Sequence, residues 1–157
     1  MNPTQPALTV HVFSFGFLYS GIPSDEAGHG GGFVFDCRAL PNPHWDEALR
    51  PFRGNQSPVM AFMESHPEVA TFAGHAAEIV LASARVYAGM GRERLMVSFG
   101  CTGGRHRSVY QAEQLAGLLR EEGFQVTLTH LDIERGPGEQ GARESGAGKR
   151  GAGERPG

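Results

Sequence analysis

Within the ten residues Phe99–Ser108 the chain collects a thiol (Cys101), two hydroxyls (Thr102, Ser108), three glycines (Gly100, Gly103, Gly104), two arginines (Arg105, Arg107) and a histidine (His106). An apolar run, Leu95–Phe99, leads into this cluster and reads as a buried strand; Val109–Leu119 leads out of it and reads as an amphipathic helix. A strand, a glycine-rich turn and a helix start form a ready anion site. Unsatisfied backbone N–H groups converge there, and the helix dipole favours negative charge. Arg107 at a helix start opposes that dipole, and a bound anion is a reason for a cation to stand there. The ligand group expected from these residues is a phosphate. Gly103 and Gly104 would give backbone amides, Thr102 and Ser108 hydroxyls, Arg107 the charge and His106 a further donor.

The elements that must position this loop follow from the pattern around it. Leu8–Phe15 is rich in β-branched and aromatic residues and reads as a first strand. Gly16–Gly32 is a loop, with turn chemistry at Gly21-Ile22-Pro23 and a glycine-rich stretch at Gly28–Gly32, where His29 could cover the pocket. Phe33–Cys37 is a short second strand, with Phe33 and Phe35 turned to the core by alternation. Two prolines in Leu40-Pro41-Asn42-Pro43-His44-Trp45 hold the preceding residues extended, so no helix is expected there. Ser57–Glu64 is a short helix with Ser57 as its N-cap and Pro58 at its first position. Pro67 opens a longer one, whose inward face is expected to hold Val69, Phe72, Ala76, Ile79, Val80, Ser83, Val86 and Tyr87. His75 falls near that face and is expected half-buried. After Leu95–Phe99, the helix Val109–Glu122 is stopped by Gly123, and Gln125–His130 is a last strand. Strand, helix and strand at the end of the chain make a βαβ unit, so the sheet is at least partly parallel. The fold class is α/β: one domain over residues 8–135, with a small mixed or partly parallel sheet of about four strands and helices packed on it. In such sheets ligands sit beyond the carboxyl ends of the strands, which is where Cys101–Arg107 falls.

At 157 residues and a net charge of −3, the chain is long enough for one real core and carries no global basic field to attract nucleic acid. From Gly136 onward four cations (Arg143, Lys149, Arg150, Arg155) are set against three anions, among glycines and alanines. That segment, 136–157, buries too little to offset its ordering entropy and is expected to be a disordered tail. No run approaches the roughly 20 apolar residues that span a bilayer. The amino terminus lacks the basic start and apolar stretch of a signal peptide, so a cytoplasmic location and no membrane partner are expected. Cys37 and Cys101 are then free thiols. There is no Cys-x-x-Cys or other metal-ligand pairing, and neither metal nor cofactor is expected.

Two resemblances sharpen the loop. Cys101, five residues, then Arg107 and Ser108 resembles the phosphate loop of cysteine-dependent phosphatases, in which a thiolate attacks, an arginine clamps the phosphate and a hydroxyl aids the leaving thiolate. Asp46, after Trp45, would be the general acid. Gly100 precedes the cysteine where those enzymes usually carry histidine, and Arg105-His106 crowds the loop. The broader resemblance joins three separated motifs: Ser14-Phe15-Gly16-Phe17 with Gly21-Ile22-Pro23; Phe35-Asp36-Cys37-Arg38 with Leu40-Pro41-Asn42-Pro43-His44-Trp45-Asp46; and Gly100–Tyr110. Together they are similar to the RapZ C-terminal domain family, over nearly the whole domain.

That resemblance implies a module binding a phosphorylated sugar, glucosamine-6-phosphate, with a regulatory RNA as a further partner. It places His44, Thr102, Gly103, His106 and Arg107 in an anion pocket. His130 also matches a family histidine, either lining that pocket or supporting the sheet. Full-length members carry a P-loop domain first. This chain has no Gly-x4-Gly-Lys-Ser/Thr, and a free-standing second domain is expected. The family's basic run after the last strand reads here Leu131-Asp132-Ile133-Glu134-Arg135-Gly136-Pro137, with little positive charge. RNA binding depends on neutralising phosphates, so a phosphorylated small molecule, sugar phosphate or nucleotide, ranks first. RNA-adapter and phosphatase-like roles are the alternatives, with a protein partner or an oligomer left open. Arg38, just past the second strand, is expected either in the pocket or paired with Asp36, whose role would be to orient an arginine.

Overall fold

Alternating Val10 and Val12, and the mostly apolar run at 95–99, fold as parallel strands in a computed structural model that describes residues 7–28 and 30–135. His29 and the segment 136–157, expected as a cover and as a tail, lie outside the described residues. The strands are β1 (Thr9–Gly16), β2 (Phe33–Asp36), β3 (Arg94–Cys101) and β4 (Gln125–His130). The helices are α1 (Ser57–Glu64), α2 (Pro67–Gly89) and α3 (Arg107–Glu121). The sheet order is β2-β3-β1-β4, and every pairing is parallel rather than mixed. The closing βαβ unit is present, but β1 lies between its two strands, so α3 crosses over β1 to reach β4.

Register sets where the loops meet. Gly16 pairs with Cys101, Asp36 with Gly100, and Ser14 with both Phe99 and His130. The carboxyl ends of all four strands therefore share one edge. From the neighbouring strands β1 and β3 the chain leaves in opposite directions, toward β2 and toward β4. A crevice opens at such a switch point.

The core lies between the sheet and its helices. Val10, Val12, Leu95, Val97 and Phe99 face Val69, Ala76, Val80 and Ala84 of α2 and Tyr110, Ala112, Leu115 and Leu119 of α3. Full burial of each large apolar side chain contributes about 1.5–3 kcal/mol. Phe33 and Phe35 are half-buried and stack at 5.9 Å, and Phe35 stacks on Phe99 at 5.2 Å. The inward stripe of α2 is narrower than its apolar pattern predicts: Ile79 is 50 % and Val86 59 % exposed. Ile79 lies about 100° around the helix from buried Val80, Val86 sits two residues beyond buried Ala84, and the small Ala76 and Ala84 let α2 approach on the other side. His75 is exposed with them.

Three local expectations differ from the structure. Ser57 does not cap α1. Gln56 holds that position, and its side chain instead accepts the Arg53 N–H at 2.6 Å, closing the preceding turn. The proline-rich stretch does carry helix, a single 3-10 turn at Pro43–Trp45. Asn42 stays extended as a residue before proline must, and its Oδ1 accepts the His44 N–H at 3.1 Å, while Pro43 arrives with φ already suited to a first helical position. Helix α3 starts at Arg107, two residues ahead of expectation, and ends at Glu121, with Gly123 at φ +92° beyond it.

Candidate anion-binding site

Past the end of the sheet the ladder continues for two rungs. Phe17 N–H donates to the Cys101 carbonyl at 2.8 Å and Leu18 N–H to that of Thr102 at 3.2 Å. The chain then turns at Gly104, whose φ of +78° only glycine adopts readily. Added to Gly104, a Cβ would stand 2.6 Å from Gly16 N and 2.8 Å from Asp132 Cβ. Gly103 differs: nothing lies within 4 Å of a Cβ placed there. Of the two glycines expected to cradle a phosphate, Gly104 is pinned by packing, and Gly103 is the one with open space before it.

Asp132 holds this arrangement from below, and no signal in the sequence singled it out beyond its place just after a parallel strand. It is fully buried and accepts from Gly16 N–H at 2.8 Å, Ser20 N–H at 3.2 Å, Ser20 Oγ at 2.7 Å and Arg135 Nε at 2.8 Å. One carboxylate thus ties the exits of β1 and β4 together under Gly104. Gly54 does the same from the side, donating its N–H to the Arg105 carbonyl at 2.8 Å.

Arg107 is 2 % exposed, and its Nη1 donates to the carbonyls of Arg38 at 2.8 Å and Leu40 at 3.0 Å. Its Nε is buried without an acceptor among the described residues. Burial lowers its pKa, against the opposing pull of Cys101, Cys37 and Asp36. At the start of α3 just beside it the His106 side chain makes no cap, and Cys101 Sγ takes the Ser108 N–H at 3.4 Å. A guanidinium stays charged even so, and here no carboxylate among the described residues forms an ion pair with it.

The other expected residues divide. His44 is half-buried on its 3-10 turn, its ring 6.4 Å from that of His106. Burial first, then Arg50, Arg105 and Arg107, hold its pKa below the ordinary value. His106 is pushed down to about 4 chiefly by burial, with Arg105, His44 and Arg107 adding to the shift. Its Nε2 donates to the Phe52 carbonyl at 2.7 Å, so that nitrogen is spent on the fold. The Arg38 side chain pairs with Asp36, Nε at 2.9 Å and Nη2 at 2.8 Å, and lies 3.8 Å from the Phe17 ring centre. The arginine bond is the largest cause holding Asp36 below its usual pKa. Arg38 therefore reaches Arg107 through its backbone carbonyl.

Ser108 is fully buried, and its hydroxyl and N–H meet Cys101 Sγ at 3.2 and 3.4 Å. Cys101 is itself 2 % exposed at the strand end. Burial drives the Cys37 thiol well above its ordinary pKa. Asp46 is exposed, and its Oδ1 accepts the Ala48 N–H at 3.0 Å. His130 supports the sheet: Nδ1 meets Ser14 Oγ at 2.6 Å and Nε2 meets Glu113 Oε2 at 2.9 Å. A groove of about 410 Å³ between α2 and α3, floored by Phe99 and Gln111, contains none of the loop residues. No cluster of three or more metal-ligating side chains occurs among the described residues, and no helix there is long and apolar enough to cross a membrane.

Known proteins are similar to this chain in sequence. The chain is 43 % identical over 128 residues to a "Nucleotide-binding protein" of Laribacter hongkongensis, covering 82 % of this chain and 44 % of that one. It is 44 % identical over 135 residues to the "RNase adapter protein RapZ" of Escherichia coli O1:K1 / APEC, covering 86 % and 45 %. A "Nucleotide-binding protein" of Halorhodospira halophila is 44 % identical over 129 residues, covering 82 % and 43 %. The chain thus spans less than half the length of these relatives. The family model for the RapZ C-terminal domain matches residues 8–134, from the start of β1 through the segment that carries Asp132, and the chain belongs to that family.

Proposed function

We propose that this domain binds and senses a phosphorylated small molecule, a sugar phosphate such as glucosamine-6-phosphate or a nucleotide, at the carboxyl edge of its sheet. The observation that carries the reading is Arg107: a guanidinium 2 % exposed, held by two carbonyls, without a carboxylate partner, at the start of a helix whose N-cap residue makes no side-chain cap. Burying a cation without a counter-charge is costly unless an anion completes it. A phosphate in front of Gly103 would meet the charge of Arg107 and accept hydrogen bonds from the first turn of α3, from Thr102 and from His44. The relatives' printed names point to nucleotides, though they describe chains more than twice the matched length.

Calorimetric titration with inorganic phosphate and with glucosamine-6-phosphate tests the reading. Binding is expected for the wild type and loss of it for Gly103→Val, whose Cβ would enter open space with nothing within 4 Å. Absence of binding at millimolar ligand, or unchanged binding by the variant, refutes it.

A second reading, an RNA-binding adapter role, draws on the E. coli relative and on Trp45, 62 % exposed one residue from His44, where a base could stack. It requires steeply salt-dependent RNA binding, and gel shifts without RNA retention at low salt rule it out.

A further inference from the structure

We propose that the site takes a small molecule carrying two phosphate groups, one at Arg107 and the start of α3, the second at Arg50, Arg53 and Arg105. This rests on the anion-site reading above and adds a second subsite to it. Arg105 and Arg107 are two residues apart but held by different segments. Arg107 donates to the carbonyls of Arg38 and Leu40, whereas Arg105 Nη2 donates to that of Arg50 at 3.0 Å. Arg105 is 8 % exposed, and its Nε, like that of Arg107, is buried without an acceptor among the described residues.

Around Arg105 the bonding is again to carbonyls. Arg50 Nε donates to His44 O at 2.6 Å, Arg53 Nε to Ile133 O at 2.6 Å and Arg53 Nη1 to Pro51 O at 2.9 Å. Carbonyls orient a guanidinium and leave its charge standing. Of the four arginines 50, 53, 105 and 107, only Arg53 meets a carboxylate among the described residues: Glu134, at 3.6 Å and 87 % exposed. His44 lies close enough to Arg50, Arg105 and Arg107 for all three to disfavour its protonation.

Charge decides between one phosphate and two. A phosphate monoester carries about −1.5 to −2 near neutrality. One such group matches Arg107 and a single neighbour and leaves Arg53 and Arg105, whose charges repel, with only the exposed Glu134 among the described residues to offset them. A second matches that pair too. Burial of Arg105 and Arg107 favours terminal phosphates on a small molecule, because an internal phosphodiester brings a single charge flanked by two bulky sugars.

The test is calorimetry on the full chain at neutral pH with four probes: inorganic phosphate, glucosamine-6-phosphate, pyrophosphate (adjacent groups) and fructose 1,6-bisphosphate (separated groups). One of the two doubly phosphorylated probes is expected to bind about 10- to 100-fold more tightly than both single ones, the worth of one added charge-assisted contact. Which one does so gives the spacing. Arg105→Gln should erase that advantage and leave phosphate affinity unchanged, and Arg50→Gln, at an exposed position, should do the same if the first variant fails to fold. Equal binding of single and double phosphates by the wild type, or equal weakening of both by Arg105→Gln, overturns the second subsite and leaves the first standing. If no probe binds, both readings fall. Tighter binding of a short single-stranded RNA than of either double phosphate overturns the small-molecule assignment.

Discussion

Two adjacent glycines should answer very differently to the same added methyl group. In Gly104→Ala the new Cβ would lie 2.6 Å from Gly16 N and 2.8 Å from Asp132 Cβ, on a backbone at φ +78°. The left-handed conformation costs alanine about 1–2 kcal/mol. Forcing a methyl into packed backbone costs about 1–3 kcal/mol more, so the variant should lose roughly 2–5 kcal/mol. At roughly 4 °C per kcal/mol for a domain of this size, Tm should fall by about 8 °C or more. In Gly103→Ala nothing lies within 4 Å of the new methyl. Stability should then change by less than about 1 kcal/mol, in the favourable direction because alanine restricts the unfolded chain. Phosphate affinity should nevertheless drop by about 10-fold, because the methyl enters the space in front of the retained amide and pushes the anion off one hydrogen bond. Thermal unfolding followed by circular dichroism, paired with calorimetry, measures both. Equal destabilisation by the two variants, or full phosphate binding by Gly103→Ala, would refute this division of labour.

His106 makes folding pH-dependent. Its pKa sits at about 4 in the folded state, below the ordinary 6.5, so the unfolded chain binds the extra proton between those values. Its contribution is complete above pH 6.5 and is lost as pH falls toward 4, amounting to about 3 kcal/mol. Urea titrations of the wild type and His106→Gln should diverge in slope within that window, and parallel curves would count against it. Asp132→Ala strands the N–H groups of Gly16 and Ser20, and should cost about 2–4 kcal/mol in the same assay; a loss below about 0.5 kcal/mol would show that water replaces the carboxylate. Cys37 and Cys101, both buried, should resist iodoacetamide in the folded protein. Rapid alkylation of Cys101 near pH 6, with aryl phosphate hydrolysis that vanishes in Cys101→Ser, would instead support the phosphatase-like alternative.

Much of the architecture was readable from local pattern. Period-two alternation marked Val10 and Val12, the apolar run 95–99 marked the central β3, and Pro67 and Gly123 marked helix ends, since these signals depend on residues a few positions apart. The misreadings share a cause. Gln56 displaced Ser57 at the start of α1 because its side chain found the Arg53 N–H. Ile79 and Val86 stayed in water because the sheet meets α2 along a narrower, alanine-lined stripe. Side-chain pairing and the direction of approach are tertiary quantities.

The same boundary runs through the site. A thiol, glycines and cations between a strand and a helix point by themselves to the proposed anion-binding loop, because helix starts and cations attract negative charge whatever surrounds them. The sequence also carried the three motifs that mark the family. Only the folded chain could sort the loop residue by residue: Ser108 turned to Cys101, His106 to Phe52, the side chain of Arg38 to Asp36, and Gly104 onto Gly16, while Gly103 faces open space. Asp132 and the arginines at 50 and 53 enter the account only through parallel register, which brings the ends of distant strands to one edge. Chemistry is written in residue type; which atoms remain to meet a ligand depends on what packing has already used.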